Sequence, residues 1–130
     1  MIDKVLIIDD NEQDRRIIIR YLKRNGYENI VTADCGNEGV KMVKEENPDL
    51  VVLDTVLPDT IGFDVCKRIR EEDGGEKKRI IIMQTGGIDS VDAIRAKEVG
   101  VDEYCVKTSD CGPLLEAIEK VKKAKKSEKN

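Results

Sequence analysis

Short apolar runs alternate with amphipathic segments along the whole chain. Each run is four or five residues long and rich in Ile, Val and Leu, which is too short for a helix and typical of a buried strand. Between the runs, and after the last, apolar side chains recur at helical spacing. The pattern predicts five helices and five strands, with the strands at residues 4–8, 29–33, 50–53, 79–83 and 103–106.

The predicted helices have recognisable ends. Asn11 and Asp14 offer a cap and an acidic first turn for the first helix, which stops at Asn25 and Gly26. The second helix ends before Pro48, since the residue before a proline avoids the helical region. The later helices begin near residues 63, 89 and 113, and the last points Leu114, Leu115, Ile118 and Val121 inward.

Strict alternation of strand and helix predicts an α/β fold, with a parallel sheet, right-handed crossovers and helices on both faces. The most continuous apolar run, LVVL at 50–53, suits a central strand, and the more polar 29–33 suits an edge. We therefore predict a three-layer, doubly wound (βα)5 domain; if its strand order is 2-1-3-4-5, strands 1 and 3 are neighbours.

Polar residues that do not fit the apolar pattern fall at strand ends. Asp9 and Asp10 end the first strand, Asp54 the third, Thr85 the fourth and Lys107 the fifth. In an open parallel sheet, ligands bind outside the carboxyl ends of the strands, where the strand order reverses. We expect these five side chains to share one crevice.

Three carboxylates packed together repel one another unless a cation joins them. Oxygen ligands without His or Cys favour a hard cation such as Mg2+. A divalent ion beside a nucleophilic carboxylate and a lysine suits phosphoryl transfer. Taken singly, each residue has a simpler interpretation: helix capping for Asp9 and Asp10, a loop carboxylate for Asp54, turn chemistry for Thr85 and a surface lysine for Lys107.

Composition narrows the classes of partner and site. The net charge is −4, and only residues 120–129 are strongly basic, so we expect no nucleic acid partner. The apolar runs fall well short of the roughly 18 residues of a membrane span, so we expect no membrane insertion. Four Cys without a C-x-x-C pair or any His argue against zinc and favour reduced thiols in the cytoplasm.

Four stretches carry a family resemblance: VLIIDDNEQDRR, LVVLDTVLPDTIGFDV, IIIMQTG and DEYCVKT. With their spacing, they resemble the response regulator receiver family and its CheY-like, flavodoxin-like fold over about residues 2–124. The resemblance implies that Asp54 is the phosphoacceptor and Asp10 a direct Mg2+ ligand. Asp9 would act beside it, often through water, and the Val56 carbonyl would complete the set.

The same resemblance assigns roles to three further residues. Lys107 would pair with a phosphoryl oxygen and, in the free form, with Asp54. Thr85 would move to hydrogen-bond the phosphoryl group, and Tyr104 would swing inward with it. The alternative for Tyr104 is a ring packed on the sheet edge with its hydroxyl in water.

Two departures from the family pattern bear on the site. Thr108 follows Lys107 where the family commonly has a proline after a cis bond, so this bond is either trans or strained. Gly86 and Gly87 make the loop after Thr85 looser than usual.

From the length of the chain we expect a stand-alone receiver, residues 1–124, with a basic, frayed tail at 125–130 and no output domain. A sensor histidine kinase would donate the phosphoryl group, and output would go to a target protein or a phosphotransfer protein. We expect a monomer, or a weak homodimer through the fourth helix, fifth strand and fifth helix. The only catalysis expected is of its own phosphorylation and dephosphorylation.

Three other classes fit less well. A haloacid dehalogenase-type phosphatase needs a second acid two residues after the nucleophile, where this chain has Val56. In a flavodoxin, the acidic residues 9–12 would repel the flavin phosphate. A pseudo-receiver would not need every expected side chain.

Overall fold

The structure is a computed structural model that describes residues 2–76, 78–86 and 90–128. Its strands are β1 (Val5–Ile8), β2 (Ile30–Ala33), β3 (Leu50–Asp54), β4 (Ile80–Thr85) and β5 (Glu103–Val106). Its helices are α1 (Glu12–Arg24), α2 (Gly36–Glu46), α3 (Gly62–Glu72), α4 (Ser90–Glu98) and α5 (Gly112–Glu128). The alternation predicted from the apolar pattern is confirmed. Three predicted features lie outside the described residues: the start of the fourth helix at residue 89, Gly87 in the loop after β4, and residues 129–130 of the tail.

All neighbouring strands are parallel, in the order β2-β1-β3-β4-β5. The predicted doubly wound α/β fold is therefore confirmed, with β3 at the centre and β2 at an edge. Ile8 pairs with Leu53, so the residues that follow β1 lie beside the end of β3. Thr85 pairs with Val106, which brings the residue after β5 to the same edge.

The core has one cluster on each face of the sheet. Alternating side chains of each inner strand point to opposite faces, so Leu6 and Ile8 join one cluster while Val5 and Ile7 join the other. The first cluster includes side chains of α2, α3 and α4, and the second includes side chains of α1 and α5. Among the described residues, no helix is both long and apolar enough to cross a bilayer.

Helix ends follow the local chemistry of the sequence. Asn11 caps α1 by accepting a hydrogen bond from the backbone N–H of Asp14 at 2.9 Å. Asn47 ends α2 by adopting a left-handed conformation with φ 48° before the proline. Helix α5 continues to Glu128, beyond the domain end expected at residue 124, and that boundary stays a prediction. Leu115, expected to point inward, is half-buried.

All four cysteines are free thiols. Cys35 is half-buried and the other three are buried. Burial raises the pKa of Cys66 to about 11 and that of Cys105 to about 12. Burial also raises the pKa of Cys111. The three buried thiols are therefore protonated near neutral pH.

Candidate functional site

Three carboxylates meet at the carboxyl edge of the sheet. One oxygen from each of Asp9, Asp10 and Asp54 lies within 4.8 Å of the other two, close enough to hold one metal ion. The cause is the parallel register, because Ile8 pairs with Leu53 and the next residues of both strands leave the sheet together. Asp9 is only 2% exposed, whereas Asp10 is exposed. The convergence predicted from the strand ends is therefore present.

Lys107 lies against this cluster. Its Nζ donates to Asp9 at 2.8 Å and to Asp14 at 2.9 Å, and it lies 3.3 Å from an oxygen of Asp54. The backbone anchors it as well, since the Lys107 N–H donates to the carbonyl of Thr85 at 2.7 Å. One ammonium group thus faces three carboxylates.

The pKa values of the site follow from burial and charge. Burial raises the pKa of Asp54, and the charge of Asp9 raises it further, against the opposing effect of Lys107. Burial lowers the pKa of Lys107, but its hydrogen bonds to Asp9 and Asp14 and the charges around it outweigh this and raise the pKa overall. Lys107 is therefore a permanent cation, and the ionised form of Asp54 is disfavoured by its surroundings.

The loop between β3 and α3 folds back over the end of β3. The Gly62 N–H donates to the carbonyl of Thr55 at 2.8 Å, and the Val56 N–H faces Oδ1 of Asp54 at 3.4 Å. A Cβ at position 62 would overlap the backbone carbonyl of Asp54, so any residue other than glycine would force the loop to shift. The Val56 side chain is 68% exposed, and its backbone N–H lies beside Asp54 of the acidic cluster. The assignment of its carbonyl as a metal ligand stays a prediction.

A second contact fixes the same loop to α2. The Asp59 carboxylate accepts hydrogen bonds from the N–H groups of Gly36 and Asn37 at 2.8 and 2.9 Å. These bonds lower the pKa of Asp59. The loop beside Asp54 is thus tied at the start of α2 as well as at β3.

Thr85 lies at the end of β4, as expected, and Tyr104 lies within β5. Thr85 is 8% exposed at the last position of β4. Tyr104 pairs with Met83 and packs against the core cluster that contains α3 and α4. Its hydroxyl oxygen is buried, in contrast to the alternative of a hydroxyl in water. The switching roles of both residues stay predictions.

Asp14 takes a part in the site that the strand ends do not predict. The sequence pattern places this carboxylate only in the first turn of α1, yet it accepts a hydrogen bond from the lysine at the end of β5. The available signal was its place one turn into the helix that directly follows Asp9 and Asp10. The Lys107–Thr108 bond, left open by the sequence, is trans.

Two bacterial regulators and a solved receiver structure are similar to this chain. Transcriptional regulatory protein AfsQ1 of Streptomyces coelicolor is 39% identical over 87% of this chain and 48% of its own length. Alkaline phosphatase synthesis transcriptional regulatory protein PhoP of Bacillus subtilis is 36% identical over 80% of this chain and 42% of its own length. The structure of chemotaxis protein CheY4 of Vibrio cholerae is 26% identical, with a TM-score of 0.83 over 93% of this chain and 99% of that chain.

These relatives overturn one expectation. The prediction that partners exclude nucleic acid is wrong, because both regulators are named as transcriptional and the chain spans less than half of each. The physical reason is that the net charge of this domain describes its own surface and sets no limit on what a longer protein binds.

The family itself is shown directly by the sequence. The family model described as response regulator receiver domain matches residues 5–119, which includes every strand and the acidic cluster. The CheY-like topology and the similarity to CheY4 agree with it. The chain therefore belongs to the response regulator receiver domain family.

Proposed function

We propose that Asp54 accepts a phosphoryl group from a phosphohistidine of a sensor histidine kinase, in a reaction that depends on Mg2+. The observation that carries this proposal is the meeting of Asp54 with two further carboxylates and the Lys107 ammonium at one edge of the sheet. Phosphorylation and Mg2+ are general features of this family. The free thiols of the chain are compatible with the cytoplasm as the place of reaction.

The donor set fits Mg2+. Asp9, Asp10 and Asp54 supply only carboxylate oxygens, and the chain contains no His. Hard divalent cations prefer such oxygen ligands. These three residues would hold the ion, with the Val56 carbonyl as a further ligand. When bound, the ion supplies positive charge that neutralises the oxygens of the transferring group.

The reaction follows from the side chains in place. A carboxylate oxygen of Asp54 attacks phosphorus in line, the bond between phosphorus and the donor imidazole nitrogen breaks, and the histidine leaves. Lys107 donates a hydrogen bond to a phosphoryl oxygen, which stabilises the charge on the group in flight. Attack of water on the resulting acyl phosphate returns Asp54 to a free carboxylate and releases phosphate.

Signalling would follow from rearrangement beside the phosphorylated residue. Thr85, at the end of β4, would turn its hydroxyl toward the phosphoryl group, and Tyr104 would move with it. Contacts with a target protein would then depend on phosphorylation. Onward transfer to a phosphotransfer protein is the alternative, and loss of the label to a protein that contains His would identify it.

Intact-mass measurement tests the phosphoacceptor. Incubation with a small acyl phosphate and Mg2+ should add the mass of one phosphoryl group, and Asp54→Asn should abolish the addition. Asp64→Asn, which removes an exposed carboxylate on α3, should label normally. Labelling of the Asp54→Asn protein at the normal level would place the acceptor elsewhere.

A titration tests the metal ligands separately. Asp10→Asn should weaken Mg2+ binding sharply, because the exposed member of the cluster would lose its charge. An unchanged affinity would contradict the assignment of Asp10.

A further inference from the structure

The Lys107 ammonium lies at unequal distances from the carboxylates that surround it. An ammonium group has three donors. Two of them form hydrogen bonds with Asp9 and Asp14, at 2.8 and 2.9 Å, whereas Asp54 lies at 3.3 Å. The residue expected to carry the phosphoryl group therefore has the longest of the three contacts.

Asp14 holds the lysine from a fixed position. Its backbone N–H is bonded to the capping side chain of Asn11, and it lies in the first turn of α1, where the helix dipole favours a negative charge. The group of carboxylates that could share a metal ion does not include Asp14. Asp14 thus acts on the site through Lys107 and not as part of the acidic cluster.

We propose that Asp14 is a positioning residue that restrains Lys107 and thereby slows phosphorylation of Asp54. This inference rests on the proposed function. Asp14 offsets part of the positive charge that Lys107 would present to the phosphoryl group, and it binds the same ammonium. Because the transferring group needs that charge most in the transition state, the restraint raises the barrier more than it affects donor binding.

The variant Asp14→Asn tests the restraint, because asparagine keeps the size and one acceptor oxygen but removes the charge. With a small acyl phosphate and Mg2+, the maximal rate constant of labelling should rise about fivefold, which corresponds to about 1 kcal/mol, the upper end for a partly exposed ion pair. The donor concentration at half-maximal rate should be unchanged. Asp14→Glu, which restores the charge, should return the rate toward that of the original chain.

Glu12→Gln is the matched control. It removes the same charge from the same turn of α1, but Glu12 is exposed and pairs with Arg16. Its labelling rate should equal that of the original chain, and the Mg2+ affinity of Asp14→Asn should also be unchanged. Equal acceleration in Asp14→Asn and Glu12→Gln would show that any lost negative charge nearby speeds labelling. A changed Mg2+ affinity of Asp14→Asn would show that the substitution acts on the metal site. Either result overturns the inference.

Failure of the inference is distinguishable from failure of the proposed function. If the original chain does not label, Asp54 is not a phosphoacceptor. If it labels and Asp14→Asn is no faster, the inference about Asp14 alone is wrong. Urea unfolding of each variant shows whether it is folded under the labelling conditions, so that only the rates of folded proteins are compared.

Discussion

Replacing Asp54 by asparagine should stabilise the protein when a chelator removes divalent ions. The Asp54 side chain is only 12% exposed, and one of its oxygens lies within 4.8 Å of an oxygen of Asp9 and an oxygen of Asp10. Lys107 provides the opposing attraction at 3.3 Å. The raised pKa of Asp54, due first to burial and then to Asp9, shows that the unfavourable contributions exceed the favourable ones.

The distances give the size of the effect. At an effective dielectric constant of about 20, a repulsion at the 4.8 Å limit costs about 3.5 kcal/mol, and the attraction at 3.3 Å contributes about 5 kcal/mol. Two repulsions therefore exceed the one attraction by about 2 kcal/mol. Because Asp10 is exposed, solvent screens most of its share, and burial of Asp54, the first cause of its raised pKa, takes its place as the main unfavourable contribution. We therefore expect Asp54→Asn to raise the free energy of unfolding by about 1 kcal/mol.

Urea unfolding at pH 7 with a chelator measures this difference, with Asp64→Asn as the control. The pH dependence of the stability difference follows from linkage. Ionised Asp54 destabilises the folded state above its ordinary pKa of 3.8, and this destabilisation grows as the pH rises to its raised pKa in the folded state. The advantage of asparagine should thus shrink as pH falls toward 3.8. Mg2+ should stabilise the original chain more than the variant. A variant that is no more stable at pH 7, at an unchanged urea dependence, would refute the reasoning.

Three other predictions concern the scaffold. Asp73→Asn should cost about 3–5 kcal/mol in urea unfolding, because it breaks a buried pair with Arg79. Glu72→Gln, next to it and exposed, should change stability by no more than about 0.5 kcal/mol, and equal losses would contradict the burial argument. Gly62→Ala should slow labelling of Asp54 and cost about 1–3 kcal/mol through overpacking, and normal kinetics would show that the loop adapts freely. The half-buried cysteine should react with a thiol reagent well before the three buried ones, and four equal rates would contradict the raised pKa values.

The helices and strands could be predicted from the apolar pattern, because side chains that face the core recur at a regular spacing along each helix and strand. Strand β5 has the predicted bounds, Glu103–Val106. Strand β4 extends beyond the predicted residue 83 to Thr85, since Gln84 still pairs with both neighbouring strands and Thr85 still pairs with Val106 of β5. Periodicity detects apolar side chains, whereas strand length also depends on backbone pairing across the sheet.

The candidate site likewise contains residues that the sequence predicted and one that it did not. Strand ends in the sequence identified Asp9, Asp10, Asp54 and Lys107, because parallel strands bring their carboxyl ends to one edge whatever the loops between them. The role of Asp14 was not available from that rule. A contact between α1 and the end of β5 depends on how the helix packs and on the path of the backbone after Lys107, where the bond to Thr108 is trans.

The sequence by itself determined the βα alternation, the family resemblance and the set of carboxylates at one edge. Tertiary structure alone decided how one lysine is divided among three carboxylates, at 2.8, 2.9 and 3.3 Å. The physical reason is that burial and strand direction repeat along the chain and can be recognised locally. A difference of half an ångström between ion pairs arises from side-chain conformation and packing between segments that are distant in sequence.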